Sequence, residues 1–230
     1  MRWAASGETL FGAFLGTPSR LARATALYDE VIHEMLVLDA KAQDLLFLDG
    51  HTASSFKPDP VSDEQIAEIW ELIRWAPTGG NASPGRLLLV RSPEARERLV
   101  AHMGESNRAK TLAAPLTVVL AADTRYHELW PKIEPGREEA AKRLEDDPPA
   151  RERLAMLSGT LVTAYFLIGV RAAGLAAGPM GGFDRAGVDG EFFPDGRWRS
   201  ILVVNVGVPD EGSYKQRSAR LGFEDVARVV

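Results

Sequence analysis

The sequence contains no cysteine, and this absence removes several kinds of chemistry at once. Thiolate nucleophiles, disulfides, iron–sulfur clusters and thiolate zinc sites all require that side chain. Any redox reaction must therefore be carried out by a bound cofactor. Histidine is also scarce, and the four in the sequence lack the spacing that places two metal ligands on one helix face, so no metal site is predicted. They are His33, His51, His102 and His127.

Signatures of several common protein classes are missing as well. There is no Walker loop, no Gly-x-Gly-x-x-Gly turn between a strand and a helix, and no Gly-x-Ser-x-Gly elbow, which argues against nucleotide hydrolysis, a Rossmann site and serine hydrolysis. A net charge of -5 gives no electrostatic footprint for nucleic acid. No apolar run approaches the ~20 residues of a membrane helix, and the first residues do not resemble a secretory signal. We expect a cytoplasmic protein without a membrane partner.

What is present is the composition of an ordinary globular protein, with 45% hydrophobic and 26% charged residues. At 230 residues, one domain with a substantial core is the simplest organisation. Residues 1–34 have weak periodicity and are expected to form an N-terminal arm or extension. The domain itself is placed at residues 35–230.

Helical periodicity is clear in four segments. The first is predicted to end at Gly50, where the missing Cβ permits a turn. The second begins with a capping box made by Ser62 and Gln65 and stops before Pro77. The last is apolar with small residues interleaved, and we expect it to be buried nearly all round, in the centre of a domain or in a dimer interface. The predicted helices cover residues 36–49, 62–76, 93–103 and 154–173, and residues 128–153 read as solvated helix and loop.

Three short apolar runs predict buried strands at residues 86–91, 116–122 and 201–206. They are separated by helices, but not in strand–helix–strand units of constant length. We therefore predict an α+β fold rather than a doubly wound sheet.

Two glycine-rich segments stand out as candidate binding sites. Residues 75–84 run from a helix end through a turn that carries Asn81, whose amide can donate to and accept from the edge of a planar heterocycle. Residues 178–184 precede a helix, and their backbone amides could face electron-rich atoms of a ligand. Each has a plainer interpretation: the first as an ordinary turn, the second as a helix cap and loop.

In this order and spacing, the two segments resemble the signature regions of the nitroreductase family. The resemblance extends from about Leu36 to the C-terminus. It is closest to the branch that contains the malonic semialdehyde reductase of pyrimidine degradation, the Rut pathway. The stretches that support it are residues 60–64, Asn107 with Lys110 and Thr111 before Ala114 and Pro115, residues 178–184, and Arg217 with Arg220 and Leu221.

The resemblance implies a mixed sheet flanked by helices in an interlocked homodimer, with FMN near the interface. NADH or NADPH would reduce the flavin, leave, and be replaced by a small organic acceptor of malonic-semialdehyde-like, nitro or quinone type. The hydride chemistry belongs to the cofactor, so no protein residue is assigned as catalytic. Two alternatives stay open: a flavin-dependent dehydrogenase or oxidase of specialised metabolism, and a degenerate relative that binds flavin weakly and is not an enzyme.

The resemblance also implies roles for individual residues. Asn81 would border the flavin, and the amide of Gly181 would approach flavin N5, where it would stabilise charge on the reduced ring. Other residues would line the flavin pocket, hold the FMN phosphate or line the substrate channel. They are Pro77, Thr78, Pro179 and Met180 for the pocket, His51, Thr52, Ser54, Arg217 and Arg220 for the phosphate, and Tyr126, His127 and Trp130 for the substrate.

The sequence departs from the family pattern where the phosphate should bind. His51 stands in place of the usual arginine, and Ser54 occupies the next basic or amide position. A histidine carries only part of a charge near neutral pH, so weaker or pH-dependent FMN binding is expected. The turn carries Ala82 and Ser83 where relatives commonly have glutamine, and Ser158 and Val162 replace an Asn and a Gln of the long helix, which suggests a changed substrate.

Overall fold

The structure is a computed structural model that describes residues 37–230. Its contacts divide the chain before Gly50, so that residues 37–49 belong to a first unit and Gly50–Val230 form a second. The predicted arm at residues 1–34 lies outside the described residues. The boundary between that arm and the domain stays a prediction.

The described part of the first unit is a short helical segment. Helix α1 (Ala40–Gln43) begins at Asp39, whose carboxylate accepts a hydrogen bond from the Ala42 N–H at 2.9 Å. It continues as a π-helical turn, Asp44–Leu48. The helix predicted to end at Gly50 is therefore confirmed, with its last residue two positions earlier.

The second unit contains four strands and eight helices among its described residues. The capping box of Ser62 and Gln65 is present in front of the first of these helices. The helices are α2 (Asp63–Ile73), α3 (Pro93–Ala101), α4 (Glu105–Ala113), α5 (Trp130–Ile133), α6 (Glu138–Glu145), α7 (Pro148–Ala172), α8 (Arg185–Phe192) and α9 (Phe223–Val226). The strands are β1 (Gly85–Val90), β2 (Leu116–Asp123), β3 (Ala176–Met180) and β4 (Trp198–Gly207), and short 3-10 turns lie at Gly79–Asn81 and Tyr126–Leu129.

The four strands form one sheet in the order β1-β2-β4-β3, and every pairing is antiparallel. The α+β fold is confirmed. The parallel pairings of a mixed sheet do not occur among the described strands, because β1, β2 and β4 alternate in direction and β3 returns along β4.

The core lies on both faces of this sheet. All eight residues of β2 are buried, as expected for a strand with a neighbour on each side and helices above and below. Val118 and Leu120 pack with residues of α2 and α7 on one face. Val119 and Ala121 pack with residues of α3 and α8 on the other. No face of the central strands is left open to a ligand within the described chain.

Helix α7 begins earlier than predicted and is buried on one side rather than all round. Asp147 accepts a hydrogen bond from the Ala150 N–H at 3.0 Å and Pro148 follows at the first turn, which are strong start signals. Leu157, Leu161 and Tyr165 remain 63%, 40% and 44% exposed. Because these residues are four apart, they form one stripe along the outer face of the helix.

Helix α7 is also the one described helix long and apolar enough to cross a membrane by length and composition. The expectation that no apolar run is that long was therefore wrong. Its inner side packs on the sheet and on α2 with buried residues such as Phe166 and Val170. This packing accounts for the hydrophobicity of its inner face.

The contact between α7 and α2 depends on Gly169. A Cβ at this position would lie 2.5 Å from Ile73 Cγ2 and 3.0 Å from Ile69 Cγ2, closer than packed carbons approach. We predict that Gly169→Ala destabilises the protein by about 1–3 kcal/mol through overpacking. Thermal or urea unfolding of the full chain measures the change.

Gly190 in α8 provides the matched control. No heavy atom lies within 4 Å of its Cβ position. Gly190→Ala should raise the free energy of unfolding by roughly 0.5–1 kcal/mol, because alanine is the better helix former. Equal effects of the two substitutions would contradict the close packing of α2 on α7.

Candidate functional site

The loop predicted to hold a phosphate lies along β3. The Ala53 N–H donates to the Ala177 carbonyl at 2.9 Å. This approach requires a glycine in β3, because a Cβ on Gly178 would lie 2.6 Å from the Ala53 carbonyl oxygen. The fold therefore brings residues 51–54 next to the strand that leads into Pro179, Met180 and Gly181. These two segments are separated by more than a hundred residues in the sequence.

The loop is fastened by Ser213, a residue that sequence reasoning missed. The Ser54 hydroxyl donates to the Ser213 carbonyl at 2.5 Å, and the Ser213 hydroxyl donates to the Ser55 carbonyl at 2.7 Å. Ser213 is fully buried. The predicted contact from Ser54 to a phosphate stays a prediction. The Ser54 hydroxyl could donate to a phosphate only if its hydrogen bond to the Ser213 carbonyl were broken.

An arginine and two aromatic rings gather where the loop begins. Arg217 Nη2 donates to the Gly50 carbonyl at 3.3 Å and lies 3.4 Å from His51 Nδ1. The His51 ring lies 5.1 Å from the ring of Tyr214, centroid to centroid. Thr52 lies beside them in the same loop and is exposed. The predicted grouping of Arg217 with the loop is therefore present.

Two other arginines differ from expectation. Arg220 donates to the carbonyls of Ser218 and Ala219 at 3.0 and 3.1 Å, so its guanidinium stays with its own segment. Arg171, at the end of α7, was not predicted to belong to the site. Its guanidinium occupies the position that a Cβ on Gly50 would take.

The turn between α2 and β1 has an unusual backbone. Gly80, Asn81 and Ser83 all have positive φ, at 56°, 51° and 46°. For Asn81 and Ser83 this left-handed geometry is unfavourable unless the surroundings hold it. Local hydrogen bonds do so: the Ser83 N–H donates to Thr78 Oγ1, and the Ser83 hydroxyl donates to Asn81 Oδ1, both at 3.2 Å. Pro77 and Asn81 are exposed on this turn.

Contacts from elsewhere in the fold hold the same turn. The Gly79 N–H donates to the Ser158 hydroxyl of α7 at 3.1 Å. Trp130 Nε1 donates to the Asn81 carbonyl at 3.2 Å, and Arg137 donates to the Gly80 carbonyl. Ser158, one of the departures from the family pattern, thus acts as an acceptor for the turn.

The three residues predicted to line a substrate channel are buried in the chain. Tyr126, His127 and Trp130 are 0%, 3% and 2% exposed. They pack against each other edge to face, and His127 Nε2 lies 2.7 Å from a carboxylate oxygen of Glu145. Burial within one chain does not test their predicted role in a substrate channel, which stays a prediction. Aromatic residues that follow a strand also pack well beneath it. In the structure they support the turn from below.

The segment around Gly181 is anchored at its flanks and open at its centre. Met180 is buried and accepts a weak hydrogen bond from the Thr111 hydroxyl at 3.7 Å. The Gly182 carbonyl accepts from the Gly104 N–H at 2.9 Å and from Asn107 Nδ2 at 3.0 Å. Gly181 itself is exposed, and no heavy atom lies within 4 Å of its Cβ position. Its backbone is accessible to a ligand.

An ion-pair network anchors the start of β1 behind the turn. The Asp123 carboxylate is 1% exposed and accepts from Arg86 at 2.6 Å and from Arg197 at 3.0 Å. Arg86 also donates to the Ser83 carbonyl at 3.1 Å. Burial alone would raise the pKa of the Asp123 carboxyl, but Arg197, the Arg125 N–H and Arg86 together lower it below its ordinary value.

Among the described residues there is no cluster of three or more His, Asp or Glu side chains that could hold a metal ion. The groups available to a ligand are therefore the arginines and the loop at Gly50, the open backbone at Gly181, and the strained turn at Asn81.

Comparison with known proteins decides the family. The model of the family described as the nitroreductase family matches residues 51–208, more than half of the chain. The protein belongs to the nitroreductase family. The matched residues include the loop, the turn, all four strands and the Gly181 segment.

Two Streptomyces relatives extend this nitroreductase match. A protein of Streptomyces griseus, assigned the name NADH dehydrogenase/NAD(P)H nitroreductase, is 49% identical over 195 residues, covering 85% of this chain and 99% of the relative. A protein of Streptomyces coelicolor with the same assigned name is 50% identical, with the same coverage. The class of enzyme expected from the sequence, an FMN-dependent NAD(P)H oxidoreductase, is confirmed at the level of the family. None of these names supports the narrower malonic semialdehyde reductase branch.

Solved structures agree with the nitroreductase fold. A structure from Staphylococcus epidermidis described as an NAD(P)H:FMN oxidoreductase has a TM-score of 0.71 at 19% identity, covering 85% of this chain and 98% of that one. A nitroreductase from Exiguobacterium sibiricum, solved in complex with FMN, has a TM-score of 0.68 at 18% identity, covering 82% and 96%.

The Asp123 network yields a prediction for stability and its pH dependence. We predict that Asp123→Asn lowers the free energy of unfolding by roughly 3 kcal/mol or more at neutral pH, because two arginines lose a buried counter-charge. A carboxyl whose pKa is lowered in the folded state stabilises above its unfolded pKa, and that contribution is lost as the pH falls through the folded pKa. The difference between wild type and variant should therefore shrink below about pH 4.

Urea unfolding across a pH series measures this difference. Glu71→Gln is the control, since the Glu71–Arg74 pair is solvent-exposed at 3.2 Å and should contribute no more than about 1 kcal/mol. A deficit for Asp123→Asn that stays constant into the acid range would contradict the assigned role of the charge.

Proposed function

We propose that this member of the nitroreductase family is an FMN-dependent enzyme that passes reducing equivalents from NADH or NADPH to a small organic acceptor. The hydrogen bond from Ala53 to Ala177 carries the proposal. It joins the loop at residues 51–54, which lies beside Arg217, to the strand that leads to the open backbone of Gly181. An anionic group and an electron-rich ring edge are the two features of FMN that such a pair of segments would bind.

The residues of the loop fit the phosphate end of FMN. Arg217 brings guanidinium donors to the Gly50 carbonyl and to His51 Nδ1, and Gly178 gives the loop the space to lie against β3. Thr52 would add a hydroxyl donor. The backbone N–H of Gly181 would face the ring edge, next to Pro179 and Met180. When bound, FMN supplies the hydride chemistry, while these residues bind and orient it.

The turn with Asn81 lies far from this loop within one chain. Ser158 of α7 contacts the turn, and Arg171 of α7 contacts the loop. Ser158 and Arg171 are 13 positions apart in this helix, which corresponds to about 20 Å at ~1.5 Å per residue. A single subunit therefore holds the turn beside the middle of one rigid helix and the loop beside its C-terminal end.

A second copy of the chain would bring the two segments together. The exposed stripe of Leu157, Leu161 and Tyr165 lies along α7. Its last residue, Tyr165, is about midway along the helix between Ser158, which contacts the turn, and Arg171, which contacts the loop. If two copies pair across a two-fold axis that is perpendicular to α7 and passes near Tyr165, the α7 helices run antiparallel and the turn of one subunit lies opposite the loop of its partner. We propose a homodimer with each flavin site shared between subunits, in which Asn81, Pro77 and Thr78 come from the partner.

For the acceptor, we propose a chemical class and not a particular compound. The assigned names of the Streptomyces relatives favour a nitro compound. The resemblance to the malonic semialdehyde reductase branch favours a small aldehyde acid. Steady-state assays of the purified enzyme with one acceptor of each class, under anaerobic conditions, separate the two.

The test of the proposed function is the visible spectrum of the purified protein after addition of FMN and gel filtration. We expect retained flavin absorbance that bleaches on addition of NADH or NADPH and returns when an acceptor is added. A protein that retains no flavin would overturn the proposal. Retained flavin that neither nicotinamide bleaches would argue for a flavin binder outside this reaction class.

The contrast between Arg217 and Arg220 gives a second prediction. Arg217→Gln should weaken FMN binding about ten- to hundredfold, the usual effect of losing one charge-assisted contact to a phosphate. Arg220→Gln, in the same segment and with the same change of charge, should change it much less, because Arg220 bonds to Ser218 and Ala219. Fluorescence titration with FMN measures both, and equal losses would contradict the assignment.

A further inference from the structure

Arg171 approaches the loop more closely than its position in the sequence suggests. Its guanidinium lies against the backbone of Gly50, in the place where any side chain at residue 50 would begin. The side chain is partly buried. A residue other than glycine at position 50 would displace it, so the loop is shaped around this arginine.

The end of α7 holds Arg171 in this position. The Gly174 N–H donates to the Arg171 carbonyl at 2.8 Å, and Gly174 has a φ of 73°, the left-handed geometry that ends a helix and starts the return into β3. The guanidinium therefore projects from a rigid helix end and not from a loop. A cation held in this way loses little conformational freedom when it binds an anion.

Arg171 and Arg217 converge on the same glycine from different parts of the chain. Arg217 donates to the Gly50 carbonyl, and His51 lies beside it. Arg171 also acts on the neighbouring Tyr214, whose pKa partial burial raises and the arginine charge opposes. Two guanidinium groups at one short backbone segment present N–H donors in the planar fork geometry that the oxygens of a phosphate accept.

We propose that Arg171 is a phosphate-binding residue of the FMN site. It supplies from α7 the full positive charge that the loop lacks, because His51 stands where the family pattern has arginine and Ser54 carries no charge. This inference rests on the proposed function, since it requires FMN as the ligand. It adds a residue from the end of α7 to the loop and C-terminal residues that the family resemblance implied.

The test compares FMN with riboflavin, which has the same ring and ribityl chain but no phosphate. The full-length protein and the variants Arg171→Gln and Arg171→Lys are titrated with each ligand by flavin fluorescence. Arg98→Gln is the matched control with the same change of charge, because Arg98 is exposed on α3, which packs on the opposite face of the sheet from α7. Arg171→Gln should weaken FMN binding about ten- to hundredfold and leave riboflavin binding within about twofold.

The outcomes separate the possible failures. Arg171→Lys keeps the charge but loses the planar fork, so an FMN affinity between those of wild type and Arg171→Gln supports the proposal. If Arg171→Gln does not fold, the FMN and riboflavin affinities of Arg171→Lys provide the test instead. Equal weakening of FMN and riboflavin would assign Arg171 a purely structural role and overturn the inference, as would an unchanged FMN affinity. A wild-type protein that binds neither flavin would instead overturn the proposed function.

Discussion

The length of helix α7 is the constraint on which the candidate site depends. The helix contacts the turn through Ser158 and the loop through Arg171, and its rigid rise keeps these contacts about 20 Å apart. Its inner side forms the core with β2, β4 and α2, so it cannot shorten or bend without disturbing the sheet. Its outer side carries an apolar stripe. The same helix therefore separates the two halves of the site within one subunit and offers the surface that would reunite them in a pair.

The two halves are built in different ways, which suits different tasks. The turn has a strained backbone that is held by Trp130, Arg137 and Ser158 and backed by the buried Asp123 network. Such pre-organisation fixes the direction of the Asn81 side chain before a ligand arrives. The loop is instead held by serine hydrogen bonds and surrounded by arginines. It is suited to binding charge, whereas the turn is suited to presenting a side chain.

The sequence predicted those features that depend on local pattern. The capping box at Ser62, three of the four described strands and the α+β class follow from periodicity and cap chemistry, and the family follows from two ordered motifs. Strand β3 was not predicted, because its residues Ala176–Met180 run into a glycine-rich segment whose plainer interpretation was a helix cap and loop. The features it did not predict depend on distant contacts. In the sequence, Arg171 is an ordinary residue near the end of a helix, because no local pattern indicates that its side chain contacts Gly50. The burial of Tyr126 and Trp130 beneath α6 and α7 was also not predicted, since no local pattern encodes it. The outer stripe of α7 was taken as buried because an apolar interface and an apolar core have the same composition.

The most direct test of a site shared between subunits is complementation between two defective variants. Asn81→Leu damages the turn and Arg217→Glu damages the loop, so each homodimer should retain little FMN. In a dimer that contains one of each, the intact turn of one subunit meets the intact loop of the other. An equimolar mixture, unfolded and refolded together, should then recover about a quarter of the wild-type FMN sites, the share expected for random two-fold pairing. FMN retention no greater than the average of the two separate variants would contradict the shared site.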